Sequence, residues 1–185
     1  MARMVCPWWC GYFLLSPWRR LVVKPRAMLV HYVTPGMTVL EPGCGMGFFT
    51  LELARLVGPS GRVVAVDLQP RMLAGLERRS RRAGLDSRIE ARRVAADSLG
   101  IADLAGQVDF GLAFYMVHEV PDAARFFAEM RAALKVGGKL LFVEPKHHVG
   151  EAAFSASLRL AEAAGFRSVA SPATGRGRSA ELEAV

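Results

Sequence analysis

The stretch Glu41-Pro42-Gly43-Cys44-Gly45-Met46-Gly47 decides the fold of this 185-residue chain. It follows a short apolar run at residues 37–41 and leads into a run with helical periodicity at residues 48–57. Glycines let the backbone turn sharply and let a ligand lie against the main chain without a Cβ in the way. The stretch therefore predicts a strand, a ligand-binding turn and a helix, with a turn that binds no ligand as the alternative.

Strand-like and helix-like runs alternate along the rest of the chain. Strands are predicted at residues 62–67, 89–95, 108–115 and 139–144, helices at 25–33, 70–83, 123–134 and 152–164, a turn at 136–138, and closing strands at 166–170 and 179–185. This alternation favours βαβ units in a parallel sheet, whose ligands bind at the carboxyl ends of the strands. The 52% hydrophobic and 22% charged residues are typical of a globular domain.

An acidic residue closes the second predicted strand. The carboxylate of Asp67 could accept hydrogen bonds from both ribose hydroxyls of a nucleoside cofactor. A dinucleotide-binding fingerprint would need a third glycine where Phe48 stands. The spacing therefore departs from that of a nicotinamide site.

These motifs resemble those of class I S-adenosylmethionine-dependent methyltransferases of the small ubiquinone/menaquinone-type branch. The similarity covers about residues 25–170, through residues 39–47, Asp67, Asp97, 108–110 and 134–140. Glu41 stands where the family more often has Asp, and Val136 where it usually has Pro. The resemblance implies a three-layer, Rossmann-like α/β sandwich whose mostly parallel sheet has a closing antiparallel strand. The cofactor that it implies is S-adenosyl-L-methionine.

The resemblance also implies roles for the residues of the glycine loop. Gly43, Gly45 and Gly47 would line the methionine and ribose portion of the cofactor, with Cys44 in the same loop. Glu41 would lie near the amino group of the cofactor, directly or through water.

Four more residues would hold the nucleoside by the same resemblance. Asp67 would bind the ribose, and Leu68 would pack on the adenine. Asp97 would bind the adenine amine, with Ser98 beside it.

The catalytic candidates follow the fourth predicted strand. Tyr115 lies at the strand end, where it could point at the transferring methyl group. His118 could be a base, because the ordinary pKa of an imidazole suits that work. The alternative is that His118 shapes the pocket or caps the next helix. Whether the reaction needs a base depends on the acceptor.

No metal site is expected. His147 and His148 could bind a metal together with Glu144 or Glu119. Adjacent histidines point apart on an extended chain, however, so this pair would supply one ligand rather than two.

The three cysteines, Cys6, Cys10 and Cys44, form neither a zinc-like set nor a disulfide framework. This pattern favours a reducing, cytoplasmic setting. A narrower alternative is that one or more of these thiols captures a thiophilic acceptor.

The chain is predicted to comprise an aromatic N-terminal cap at residues 1–24 and a methyltransferase domain at residues 25–185. The densest aromatic cluster is Trp8, Trp9, Tyr12, Phe13 and Trp18. It could be a lid over an apolar or cationic acceptor, a structural arm, or a contact with lipid. The apolar run at residues 5–15 is too short to span a membrane, so only peripheral contact is left open.

The predicted function is methyl transfer to a small, apolar or lipid-like acceptor. An RNA or protein methyltransferase is one alternative, motivated by the arginine-rich run at residues 78–93 and the net charge of +7. The lack of aromatic residues among those arginines counts against a nucleic-acid partner. A non-catalytic binding module that keeps the cofactor fold is the other alternative.

Overall fold

The fold is described by a computed structural model that covers residues 7–9, 11, 13, 15–16, 18–19, 23–175 and 177–185. From Pro25 onward its elements are α1 (Pro25–Leu29), β1 (Thr38–Pro42), α2 (Thr50–Leu56), β2 (Arg62–Asp67), α3 (Pro70–Arg82), β3 (Ile89–Arg93), β4 (Val108–Phe114), α4 (Ala123–Ala133), β5 (Leu134–Pro145), α5 (Glu151–Ala163), β6 (Phe166–Ala170) and β7 (Gly177–Ala184). The described strands pair within each of two parts of the chain, as parallel pairs in the first part and as parallel and antiparallel pairs in the second. The chain divides into two compact units, Met4–Val94 and Ala95–Val185.

The unit Met4–Val94 contains a parallel sheet portion in the order β3-β2-β1. The central strand β2 is buried from Val63 to Asp67, because helices α2 and α3 pack against it. A continuous apolar strand of this kind is typical of a parallel sheet. Its carboxyl end carries Asp67, next to the glycine loop that follows β1.

The unit Ala95–Val185 contains the strand order β4-β5-β7-β6. Strands β4 and β5 are parallel, whereas β7 pairs antiparallel with both β5 and β6. Helix α4 packs against α5 and β5, and α5 packs against β6. The predicted mostly parallel α/β sheet with an antiparallel closure is therefore confirmed.

Helix ends fall where the local chemistry requires them. Pro70 begins α3, since its fixed φ suits the first helical turn. Gly84 ends α3 with a φ of 64°, and its N–H donates to the carbonyl of Arg81. Asp122 caps α4 by accepting a hydrogen bond from the N–H of Arg125 at 3.0 Å.

The predicted turn at residues 136–138 lies within the bounds of β5. The pairing with β4 jumps there from Val108–Leu134 to Phe110–Lys139, so the residues between Leu134 and Lys139 bulge out of the ladder. Gly137 has a φ of 76°. The sequence thus predicted the local bend correctly, and its error was to begin the strand after the bend rather than before it.

Several other boundaries also differ from the prediction. Helix α1 ends at Leu29, four residues earlier than predicted, and Tyr115 lies just outside β4. The division into a 1–24 cap and a 25–185 domain stays a prediction. Within the described residues, no helix is both long and apolar enough to cross a membrane.

Candidate functional site: the glycine loop and the ends of the parallel strands

The glycine loop is tied to the end of β2 by its own backbone. The N–H groups of Gly43 and Cys44 donate to the carbonyl of Val66 at 2.9 and 3.2 Å. Gly43, Gly45 and Gly47 have φ values of 68°, 54° and 80°, a region that residues with a Cβ rarely occupy. The loop therefore keeps a shape that depends on glycine at all three positions.

The glycines serve two different purposes. A Cβ on Gly47 would lie 2.4 Å from Cδ1 of Leu76, so this glycine lets the loop pack closely against α3. Among the residues that the structure describes, a Cβ on Gly45 would meet nothing nearer than Sδ of Met72 at 4.0 Å. Gly45 therefore leaves the main chain open toward space that a ligand could fill.

The carboxylate of Asp67 is fixed beside this open main chain. Its Oδ2 accepts a hydrogen bond from the N–H of Gly45 at 2.9 Å, and its Oδ1 accepts one from the N–H of Gln69 at 2.8 Å. Burial raises the pKa of Asp67, and these backbone hydrogen bonds act in the opposite direction. Because a carboxylate has about four lone-pair sites, it keeps acceptor capacity for a ribose hydroxyl. Leu68, next in the chain, is half-buried.

Glu41 is the buried acid of the loop. Its Oε2 accepts a hydrogen bond from the hydroxyl of Thr50 at 2.6 Å. Burial, opposed by the Thr50 hydrogen bond and the Arg19 cation and assisted by the Asp67 carboxylate, raises the pKa of Glu41 to about 8. A pKa of about 8 favours the neutral acid at pH 7.

The thiol of Cys44 faces the core rather than the loop surface. Cys44 is 5% exposed and lies in a cluster with Ala65, Leu73 and Leu76. Burial raises the pKa of this thiol well above its usual range. Only the main chain of Cys44 is therefore placed to contact a ligand. Cys6 and Cys10 lie outside the described residues.

Part of the N-terminal segment packs on the glycine loop within the same unit. A Cβ on Gly11 would lie 2.8 Å from Sδ of Met72 and 3.1 Å from Met46, which belongs to the loop. The guanidinium of Arg19 lies 4.1 Å from the ring centroid of Phe48. The sequence did not single out Arg19, because a cation in an aromatic segment carries no signal of what it will stack on.

The aromatic residues of this segment divide into two groups. The guanidinium of Arg71 lies over Trp8, with Cζ of Arg71 4.6 Å from the centroid of the Trp8 ring. Trp9, Phe13 and Trp18 are 52%, 74% and 77% exposed. Tyr12, also predicted to join the cluster, lies outside the described residues.

Two arginines of the basic run are bound within their own unit. Arg79 donates to the carbonyl of Met46, which braces the glycine loop from α3. Arg88 donates to the carbonyl of Ala54 at 3.2 Å. These contacts give part of the run a structural purpose.

In the unit Ala95–Val185, the adenine candidates lie on a turn that Glu129 holds. The N–H of Leu99 donates to Oε2 of Glu129 at 2.6 Å, and the hydroxyl of Ser98 lies 3.4 Å from the same oxygen. Asp97 is exposed at the tip of this turn. The sequence missed Glu129, because an acid on a helix face gives no sign that it accepts from a distant loop.

Tyr115 follows the last residue of β4 in a strained conformation. Its φ is 59°, and its N–H donates to the carbonyl of Val143 on β5 at 2.8 Å. A Cβ on Gly177 would lie 3.4 Å from the Tyr115 ring and 2.8 Å from the hydroxyl of Thr174. That hydroxyl is buried and has no hydrogen-bond partner in the part of the chain that the structure describes. Backbone strain and an unsatisfied hydroxyl both mark functional sites.

His118 is held by Glu144, a partner that the sequence did not assign to it. Nδ1 of His118 lies 2.5 Å from Oε2 of Glu144, and the main-chain N–H of His118 donates to Oε1 of Glu144 at 3.0 Å. Glu144 is 1% exposed. His118 and Glu144 come together because the parallel strands β4 and β5 end at the same edge of the sheet.

The other two histidines lie near this pair. The rings of His147 and His148 are 4.3 Å apart, and those of His118 and His148 are 5.8 Å apart. Among the residues that the structure describes, no group of three His, Cys, Asp or Glu residues could hold a metal ion.

Residues 39–138, from the first strand to the bulge of β5, match the family described as the methyltransferase domain. The chain belongs to this family. It is 33% identical over 130 residues to the ubiquinone/menaquinone biosynthesis C-methyltransferase UbiE of Klebsiella pneumoniae subsp. pneumoniae, with 69% of this chain and 48% of that protein covered. It is 30% identical over 131 residues to the demethylmenaquinone methyltransferase of Bacillus cytotoxicus, covering 71% and 54%. The chain thus spans about half the length of these curated relatives.

The methyltransferase-domain fold is also seen in a solved structure. A SAM-dependent methyltransferase from Aquifex aeolicus superposes with a TM-score of 0.83 at 24% identity, covering 96% of this chain and 99% of that one. The family and the Rossmann-like fold predicted from the sequence are therefore confirmed, and so is the expectation of S-adenosylmethionine as the cofactor. The individual site residues stay predictions.

Proposed function

We propose that this chain transfers the methyl group of S-adenosylmethionine to a small, apolar or lipid-like acceptor. The observation that carries the proposal is the carboxylate of Asp67, which the N–H of Gly45 holds at 2.9 Å beside open main chain. A nucleoside with two hydroxyls and an amino-acid tail needs both features, an acceptor for the hydroxyls and a backbone that it can approach closely.

The methionine and ribose portion is proposed to lie along the glycine loop. Gly45 presents open main chain, while Gly47 keeps the loop against α3. Gly43, which has a positive φ in the same loop, is proposed to line this portion with them. Asp67 accepts the ribose hydroxyls, and Glu41 faces the amino group, whose positive charge favours the ionised carboxylate.

The adenine contacts are proposed for each unit by itself. In the unit Met4–Val94, Leu68 would pack on the ring, and in the unit Ala95–Val185, Asp97 would accept a hydrogen bond from the exocyclic amine. Ser98 and Glu129 fix the turn that carries Asp97. In this scheme Cys44 contributes its main chain only.

The chemistry that the cofactor supplies is a methyl group already activated on a positive sulfur. The work of the chain is then to hold an acceptor in line with that group and to exclude water, so orientation supplies much of the rate. Tyr115 is proposed to border the transferring methyl group, and the buried hydroxyl of Thr174 to contact the acceptor.

An apolar acceptor is supported by the relatives and by the N-terminal segment. The two curated relatives are named for quinone biosynthesis and for demethylmenaquinone. Trp9, Phe13 and Trp18 expose large apolar rings in a chain of net charge +7, which suits shallow contact with a lipid surface that holds such acceptors. The reaction is proposed to take place on the cytoplasmic side.

Methyl transfer from labelled S-adenosylmethionine tests this function. The acceptors are a short-chain demethylmenaquinol in detergent micelles and total RNA, each with the wild type and with Asp67→Ala. We expect label in the quinol fraction from the wild type only. Label in RNA but not in the quinol fraction would replace the proposed acceptor class, and no cofactor binding by the wild type would remove the enzyme assignment.

A further inference from the structure

His118 and Glu144 form a buried carboxylate–imidazole pair that the cofactor roles leave unused. Glu144 contacts His118 at two points. Its Oε2 lies 2.5 Å from Nδ1 of the ring, and its Oε1 accepts a hydrogen bond from the main-chain N–H of His118 at 3.0 Å. The ring is therefore fixed in both position and orientation. Glu144 is 1% exposed, and burying a carboxylate without a charged or hydrogen-bonding partner costs free energy. The two contacts with His118 offset that cost.

The contact also determines which ring nitrogen can act. An ionised carboxylate only accepts hydrogen bonds, so Nδ1 of His118 donates to Glu144. In the neutral ring, the hydrogen is then on Nδ1 and the lone pair is on Nε2. A carboxylate that holds the imidazole in one tautomer and stabilises its cation is the arrangement that makes histidine an effective base.

The surroundings of the ring fit this work. Oε1 of Glu119 lies 3.9 Å from Nε2, and His148 meets the ring edge-on at 5.8 Å between centroids. Glu144 on β5 and Glu119 beside His118 both favour the protonated ring, whereas a charged His148 would oppose it. His118 is half-buried and follows the strained Tyr115 by three residues, at the ligand edge of a parallel sheet.

We propose that His118 is the general base of the reaction, with Glu144 as its positioning residue, and that the acceptor is therefore protic. The inference rests on the proposed function. The acceptor is then a phenol- or enol-type molecule whose hydroxyl gives up the proton, and its oxygen or the ring carbon conjugated to that oxygen attacks the methyl group.

The step balances without a further reactant. A hydroxyl proton of the acceptor passes to Nε2 of His118, which becomes a cation hydrogen-bonded to Glu144. The electron pair that this releases forms the bond to the methyl carbon, from the oxygen or from the ring carbon conjugated to it, and the carbon–sulfur bond breaks with its pair going to sulfur. When the ring carbon attacks, the resulting ketone regains its hydroxyl by losing the hydrogen of that carbon to water as a proton and taking a proton on the oxygen. The sulfur becomes a neutral thioether, and the imidazolium then returns its proton to water.

The first test needs no acceptor. Long-range ¹H–¹⁵N spectra of the wild type, assigned with His118→Asn, report the tautomer of this ring. We expect the Nδ1–H form near pH 8, and its loss in Glu144→Gln. A neutral Nε2–H tautomer in the wild type, or a ring that stays charged up to pH 9, would overturn the proposal.

The second test measures single-turnover methyl transfer to short-chain demethylmenaquinol between pH 5.5 and 9. His118→Asn should lower the rate at pH 8 about 100-fold, within the range for loss of a general base. Glu144→Gln should lower the plateau about tenfold and move the midpoint of the profile to lower pH, because the imidazolium loses its anion. His147→Asn, a change at an exposed neighbour, should match the wild type.

Cofactor titration distinguishes a wrong general base from a wrong acceptor. All three variants should bind S-adenosylmethionine as the wild type does, since the proposed cofactor contacts involve none of these residues. A His118→Asn variant that binds cofactor and keeps the wild-type rate and pH profile would overturn the general base. A wild type with the expected tautomer that binds cofactor but methylates no quinol would contradict the proposed acceptor instead.

Discussion

Asp67 accepts a hydrogen bond from the main-chain N–H of Gly45 at 2.9 Å, which joins the end of β2 to the middle of the glycine loop. The contact links the two parts of the proposed cofactor site, the acid for the ribose and the open backbone for the methionine. It also makes the site testable, because each partner can be changed by itself.

Gly45→Ala should weaken cofactor binding more than it weakens the fold. The left-handed φ of 54° makes a Cβ cost about 1–2 kcal/mol, and that Cβ would enter the space open to the ligand. We expect at least about a tenfold loss of affinity for S-adenosylhomocysteine by calorimetry, equivalent to about 1.4 kcal/mol.

Gly84→Ala is the matched control for this change. Gly84 has a similar φ of 64° at the end of α3, and a Cβ there would meet nothing within 4 Å. It should cost similar stability and leave cofactor affinity unchanged. Equal affinities for the two variants would mean that the cofactor does not lie against Gly45.

Most of the fold was predictable, because the pattern of apolar residues and the positions of turn-forming residues indicate the same strands and helices. Strand β2 was predicted with its observed bounds, since four apolar residues in a row before Asp67 suit a strand buried on both faces. Strand β5 was predicted to begin at Lys139, because nothing local reveals that Leu134 pairs with Val108 before the bulge. Pairing across a bulge depends on the neighbouring strand.

The glycine loop was more predictable than the contacts around it. Its residues are consecutive, so their backbone function follows from residue type and spacing. Glu144 and His118 are separated by a strand and a helix, and their contact appears only when β4 and β5 lie side by side. Thr50, which donates to Glu41 from the start of α2, gave no signal because the contact forms only once the glycine loop between them has folded.

The free energy of unfolding of the cofactor-free chain should carry a signature of Glu41. Burial raises the pKa of this group from its usual 4.5 to about 8 in the folded state. Between these values the folded chain binds more protons than the unfolded chain, so stability falls as pH rises, by at most about 1.4 kcal/mol per unit. Urea unfolding at pH 5.5 and 7.5 should show this decrease, and Glu41→Gln should reduce it. The same pH dependence in both proteins would contradict the buried neutral acid.

Cofactor binding should release a proton from Glu41. The positively charged amino group would stabilise the ionised carboxylate, which is mostly neutral at pH 7 in the free protein. Calorimetric enthalpies measured at pH 7 in phosphate and in Tris should then differ by about the difference in buffer ionisation enthalpy. The difference should vanish in Glu41→Gln. If the wild type gives the same enthalpy in both buffers, Glu41 does not meet the amino group.

Tryptophan fluorescence should report on the N-terminal segment. All three tryptophans, Trp8, Trp9 and Trp18, belong to it. The segment packs on Met46 of the glycine loop through Gly11, so cofactor in the loop should alter the emission. Titration with S-adenosylhomocysteine should give a saturable change in the emission of the wild type and no change in that of Asp67→Ala. An unchanged spectrum at saturation would argue against a cap over the cofactor.

Calorimetric titration with S-adenosylmethionine and S-adenosylhomocysteine, on the wild type, Asp67→Asn and Asp67→Ala, measures whether Asp67 holds the cofactor. We expect wild-type binding with a dissociation constant on the order of micromolar, weakened in Asp67→Asn and lost in Asp67→Ala while both variants stay folded. A wild type that binds neither compound, or a folded Asp67→Ala that binds as tightly as the wild type, would contradict the proposed cofactor site.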